Sequence, residues 1–296
     1  MNSSLDSAEG NCGLELIGSE LTTGVTLAVL GAALLHASWN AIIKSGRDPL
    51  FDTALVALGG TVLALPLLLV FAPPEPASWP YIAASITIHI GYYATLAGAY
   101  RAGDLSHGYP IMRGTAPLLV AVGTIGWFGE TLSLSAWAGV LLICGGVLSL
   151  GIAGGGANRR ATAWALANAL IIAMYTVVDA TGVRASGGAE RYIAWMFFFM
   201  GLPFGLIVLA LKRGAFLRHA AQHGWRGLLG AGLSGVSYGI ALWAMMRAPV
   251  AMIAALRETS VIFAALIGAW ILKEGHVGSR LGGAAVVLAG VIALKL

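Results

Sequence analysis

Apolar segments of roughly twenty residues recur along the chain from residue 21 to its end: 21–43, 50–72, 79–101, 105–128, 133–153, 161–183, 191–211, 226–247, 250–272 and 278–296. As helices, each is long enough to cross about 30 Å of hydrocarbon, and helices satisfy their own backbone groups in lipid. The pattern predicts an all-α integral membrane protein with ten transmembrane helices. The connections are short and built from turn formers, SGRDP near 45, APPEPASWP near 72, GGGANRR near 154 and ASGGAER near 185, so no soluble domain fits between the spans. The longest polar interruption, KRGAFLRHAAQHGWR from Lys212 to Arg226, reads as a loop, or else as a short interfacial amphipathic piece. The first twenty residues carry Asp6, Glu9, Glu15 and Glu20 and no Lys or Arg, the wrong charge for a signal peptide, and read as a disordered tail.

Composition agrees with this pattern. The chain is 58% hydrophobic and 10% charged, with mean hydropathy +0.84. A soluble domain needs about 25% charged residues to cover its surface. Gly at 41 of 296 residues suits helices that approach closely in a membrane. The net charge of +4 is spread thinly, with no basic run, which excludes a nucleic-acid partner. Cys12 and Cys144 are far apart and have no ligand spacing, so neither a disulfide framework nor a metal site is expected. Followed loop by loop, eleven basic residues collect on one side (Lys44, Arg47, Arg101, Arg159, Arg160, Lys212, Arg213, Arg218, Arg226, Lys273, Arg280) and four on the other (Arg184, Arg191, Arg247, Lys295). The richer side is expected to be cytoplasmic, which places both termini in the periplasm of a bacterial inner membrane.

A shift of 144 residues lays 105–150 on 249–294 without a gap, with nine of 46 positions identical. Arg113 falls on Arg257, Thr115 on Thr259, Glu130 on Glu274, Gly139 on Gly283 and Gly146 on Gly290. The Arg and Glu matches carry weight because both residues are scarce here and costly in lipid. Five spans per half is an odd number, so the second half enters the membrane upside down. Such inverted repeats are the design of secondary transporters, with a site near the midplane between the halves. The segments RAGDLSHGYPIMRGTAPLLVAVGTIGWFGETLSLSAWAGVLLICGGVL and MRAPVAMIAALRETSVIFAALIGAWILKEGHVGSRLGGAAVVLAGV resemble the two EamA repeats of the drug/metabolite transporter superfamily, and LLHASWNAIIK resembles that family's first helix. The resemblance runs from about residue 21 to the end, and its most specific feature is the paired Glu130 and Glu274. It implies a tail at 1–20, repeats at 21–153 and 161–296, a linker at 154–160, and a ten-helix carrier of amino acids, other small metabolites or hydrophobic drugs. The aromatic amino-acid exporter branch suits the ring-rich interior. One departure is that FAPPEPASWP carries no basic residue where many relatives have them, which implies inverted seating relative to those relatives.

The candidate site residues are the polar and aromatic side chains far from span ends. Arg113 reads either as a bidentate clamp for a carboxylate or as a structural partner of Asp104 or Asn40. Arg257 and Glu258 are successive residues about 100° apart around their helix, so only one can face a cavity. Asp179 at similar depth is an expected ion-pair partner for Arg257, and Glu258, if unpaired, a proton-binding carboxylate. His36 and His89 read as proton relays or as hydrogen-bonded packing. His89, Tyr92 and Tyr93 share one helical face. With Trp39, Tyr109, Tyr175, Tyr238 and Trp243 they form the candidate ring-lined cavity. Pro110 and Pro117 flank Arg113 as a hinge or as static curvature, and Pro66 and Pro203 invite the same two readings. Glu130 and Glu274 sit at span ends and read as structural. No catalytic cluster, cofactor motif or nucleotide loop is present; GGG at 154–156 lacks the residues of a phosphate loop.

The leading function is export of small amphipathic solutes by alternating access, aromatic or hydrophobic amino acids first. The alternatives are a hydrophobic drug or other metabolite carrier, a lipid-handling flippase or membrane enzyme, and a scaffold. The expected partners are a small-molecule substrate and the bilayer. The duplication makes a monomer sufficient and is compatible with a homodimer.

Overall fold

The computed structural model describes residues 21–46, 48–102, 105–153, 159–270 and 277–296, all helix and connections. The tail at 1–20, Asp104, most of the linker and Glu274 lie outside the described residues. The helices are α1 (Thr23–Lys44), α2 (Pro49–Val70), α3 (Trp79–Ala102), α4 (Leu105–Phe128), α5 (Leu134–Ala153), α6 (Arg159–Arg184), α7 (Ala189–Met245), α8 (Val250–Arg257), α9 (Ser260–Trp270) and α10 (Val277–Ala293). Caps set several boundaries. Thr22 accepts from Val25 N at the start of α1, and Asp48, just before Pro49, accepts from the Leu50 and Phe51 amides. Gly129, at φ 64°, allows the chain to leave α4 in the left-handed region.

Two elements differ from the sequence expectation. The polar stretch 212–226 is helical, and spans seven and eight run together as α7, broken only by non-helical angles at Lys212 (φ −132°, ψ 29°). The chain reverses there. Along the first limb, Thr61 bonds Phe198 O and a methyl at Gly205 would meet Leu58, so this limb runs antiparallel to α2. Along the second, His219 meets Asp52 and Gly227 abuts Leu55, so it runs parallel to α2. The polar run suggests a loop, but packing overrides it. Phe216 is buried with Ala54 and Val208, and His219 Nε2 lies 2.8 Å from Asp52 Oδ1.

The second difference is in the ninth pass, which is split into α8 and α9. At the junction the backbone tightens to i→i−3 bonds: Glu258 N to Ala255 O, Thr259 N to Leu256 O, Val261 N to Glu258 O. Thr259 Oγ1 also takes the Leu256 carbonyl, at 2.8 Å. The charges suit the break: Arg257 ends α8, where helix carbonyls point, and Glu258 precedes the amide end of α9.

The two halves are inverted, as α5 and α10 show. A methyl at Gly146 would stand 2.9 Å from Gly283 O, and one at Gly290 2.9 Å from Gly139 O. Since 139 corresponds to 283 and 146 to 290, each contact maps onto the other under the repeat operation, and the pairing is antiparallel. Small residues let the backbones touch along this pseudo-two-fold seam.

Candidate substrate site

A cavity of about 300 Å³ lies between the halves. It runs from mid-membrane, at His89 and Tyr175, to Ile43 and Pro49 at the α1–α2 junction on the base-rich side. Its wall is built by α1, α2, α3, α4, α6, both limbs of α7 and the end of α8.

Of the sequence candidates, His36, Trp39, His89, Tyr92, Tyr109, Arg113, Tyr175, Tyr238 and Arg257 line this cavity. Trp243 does not; its ring packs under Arg247, 4.1 Å from the guanidinium carbon, on the side away from the cavity mouth. The rings interlock: His89 and Tyr175 are 4.4 Å apart at 30°, Tyr92 meets Tyr175 edge-on at 6.2 Å, and Tyr175 meets Tyr238 at 6.4 Å. Trp39 Nε1 donates to His36 Nδ1 at 3.3 Å, and the Asn40 amide donates to His36 O at 2.8 Å. His89 Nδ1 sits 2.8 Å from Ser85 O, a bond within its own helix.

The charged groups pair differently from the sequence expectation. Arg113 meets Glu258: Nε to Oε2 is 2.9 Å, with the side chains 10% and 5% exposed. The N–H is not aimed at the oxygen, so the contact is coulombic rather than an aligned hydrogen bond. Glu258 is therefore not the unpaired carboxylate considered from sequence. Asp179 does not pair with Arg257 either. It accepts the hydroxyls of Tyr192 at 2.9 Å and Tyr238 at 2.6 Å, and Tyr238 stands between the two charges. Arg257 lies over the Tyr238 ring, 5.0 Å from its centre, and among the described residues makes no ion pair or hydrogen bond. The repeat explains this imbalance. Arg113 and Arg257 are equivalent, and Glu258, which neutralises Arg113, has Gly114 as its equivalent. No carboxylate fits there, since a Cβ at Gly114 would lie 2.7 Å from Leu148 Cγ and 3.0 Å from Cys144 O.

The opposite side of the membrane is tied shut. Arg184 Nη2 meets Glu130 Oε1 at 2.8 Å and also donates to Met245 O, the Val250 amide donates to Glu130 Oε2, and the Arg184 guanidinium covers the Phe128 ring. Glu130 thus ties the end of α4 to α6 and α8, and Arg184 extends the tie to α7.

Sequence reasoning missed Asn168, whose amide donates to Tyr92 O at 3.1 Å and Thr95 Oγ1 at 2.9 Å and so fixes the Tyr92 segment. Its signal was an amide deep in a long apolar run. Tyr192 was missed because it stands near a span start, where an interfacial ring is the simpler reading. Phe197, on the cavity wall against Tyr238, is hidden in the apolar run of residues 197–199.

The sequence profile of the EamA-like transporter family matches residues 22–152 and again residues 159–296. The chain belongs to the EamA-like transporter family. It is a membrane transporter of small molecules, built from two copies of that family's unit. A solved crystal structure has the same fold, with TM-score 0.72 at 19% identity over 92% of this chain and 96% of its own. No curated protein matches the chain in sequence.

Proposed function

We propose that this EamA-family protein is a secondary carrier exporting small amphipathic metabolites across a bacterial inner membrane by alternating access, with aromatic or hydrophobic amino acids as the leading class. The observation that carries this reading is Arg257: a buried guanidinium that, among the described residues, makes no ion pair or hydrogen bond, on the wall of a ring-lined cavity. A carboxylate can take two hydrogen bonds from such a group while a ring stacks on the tyrosines. The split ninth pass supports it, because discontinuous helices at the repeat interface form substrate sites in inverted-repeat carriers. The cavity extends to one side while Glu130 and Arg184 close the other, the arrangement of one end state of such a cycle.

The excess of eleven basic residues against four supports a cytoplasmic cavity mouth and periplasmic termini. One chain holds the whole cavity, so a monomer suffices. The test is release of preloaded labelled phenylalanine or tryptophan from proteoliposomes without ATP. Release above protein-free vesicles, competed by other ring-bearing solutes, is expected; no release with any such solute would sink the proposal.

A further inference from the structure

Two closely packed helix pairs flank the cavity, and the seam between them is looser. The first limb of α7 is seated on α2, with Gly201 against Ala57 O. α3 is seated on α6, with Gly98 under the Trp164 ring and Tyr92 O bonded by Asn168. Where α3 faces α7, toward the closed side, Trp79 meets Trp195 at 5.2 Å and Phe199 at 6.4 Å and seals the seam. Near mid-membrane the same two helices stand apart around a second hollow of about 50 Å³. It is lined by Ile86 and Ile90 of α3 and by Pro203, Phe204 and Ile207 of α7. Ile90 and Ile207, 52% and 50% exposed, turn one side of it to the hydrocarbon of the bilayer. His89 and Met200 complete the wall, and both also line the central cavity. The two hollows therefore stand back to back across one imidazole and one thioether.

We infer that the second hollow is a tail site: it takes an unbranched alkyl chain carried on the ring of a cavity ligand, threaded between His89 and Met200 with its far end in the hydrocarbon. The inference rests on the carrier reading above and extends the ligand class from ring-bearing solutes to ring-bearing amphiphiles. Tyr175 lies 4.4 Å from His89, so a ligand ring placed on the cavity aromatics has its edge beside the partition. The hollow's 50 Å³ holds roughly four water-sized groups, so three or four methylenes fill it before a longer chain emerges into lipid. Apart from the imidazole its wall is apolar, and each methylene lodged there leaves water. Met200, unbranched and freely rotating, is the side chain that can yield without moving the backbone. A branched group of the same carbon count is too broad for that slot. A phospholipid chain is the other apolar occupant. Continuity with the cavity favours the ligand's tail, because the Trp79 cluster bars the seam toward the closed-side leaflet and the shared residues lead inward.

The test is inhibition of labelled phenylalanine release from proteoliposomes by 4-butylphenylalanine and 4-tert-butylphenylalanine, isomers that share the head, the ring and the carbon count of the tail. The straight-chain isomer is expected to inhibit at a concentration about tenfold lower. Equal inhibition, or stronger inhibition by the branched isomer, would overturn the inference and leave the carrier reading intact. A phospholipid retained by the purified protein and lost in Ile90→Trp would then assign the hollow to lipid. No phenylalanine release from wild type would remove the carrier reading, and the tail site with it. Ile90→Trp fills the hollow from α3 and Ile207→Trp fills it from α7, both at lipid-facing positions. In each, phenylalanine release should stay within about twofold of wild type while the two isomers converge to within about twofold of one another. A straight-chain preference that survives both fillings, or a loss of phenylalanine release in both, would count against the inference. Met200→Ala, which widens the partition, should strengthen inhibition by the branched isomer; no gain would route the chain elsewhere and overturn it.

Discussion

The fourth and ninth passes are equivalent under the repeat, and they differ in the middle. α4 runs unbroken through Arg113 to Phe128, with Gly114 packed against α5. Its counterpart breaks after Arg257 and carries Glu258 where α4 has glycine. One difference thus has two effects: Glu258 reaches across the interface to hold Arg113, and among the described residues no carboxylate does the same for Arg257. The repeats supply two equivalent cations, and a single position gives one of them an ion-pair partner that the other lacks among the described residues.

The sharpest way to break this comparison is Arg113→Ala. Removing it strands Glu258 as a buried lone charge, so stability should fall by about 3–5 kcal/mol, seen as lost folded yield and a lower melting temperature in detergent. Arg113→Met with Glu258→Leu should recover most of the loss, because replacing both members of a buried pair is often neutral. Arg257→Gln, by contrast, should leave the melting temperature within a degree or two of wild type; a collapse like that of Arg113→Ala would make the two arginines equivalent after all. Gly114→Ala should come next, at about 1–3 kcal/mol, because the methyl must displace Leu148 and press on Cys144 O. Glu130→Gln, which weakens the tie to Arg184 and keeps an acceptor for the Val250 amide, should lower stability by about 1–2 kcal/mol. The smallest effect is expected for Trp39→Phe, which removes the bond to His36 at about 0.5–1.5 kcal/mol and keeps the ring on the cavity wall.

The architecture was legible in the sequence because lipid imposes length and hydropathy on every span, and because Arg and Glu are rare enough here for a 144-residue repeat to stand out. The members of the cavity were legible for the same reason: polar and aromatic side chains far from span ends need company. Their pairing was not. Sequence position fixes depth along a helix, yet Tyr238 takes both groups separately, Asp179 on its hydroxyl and Arg257 over its ring. Likewise Arg113 found its partner on α8–α9, a neighbour that repeat counting does not reveal. The polar run from Lys212 to Arg226 suggested a loop where Phe216 and His219 hold a helix, and Trp243 shares the depth of the other rings while facing Arg247.

The grip of α7 on α2 has a mechanical corollary. α2, from the first repeat, is wedged between two limbs of the second, with Gly201 seated on Ala57 O and Gly227 against Leu55. Parts that touch backbone to backbone travel together, so the rigid pieces of a working cycle must each combine segments of both copies. Neither copy owns a wall it could carry away alone. Expressed as separate polypeptides, the two would have to interleave before either became a stable object, and cutting the chain between them should abolish solo folding while permitting reassembly of the pair.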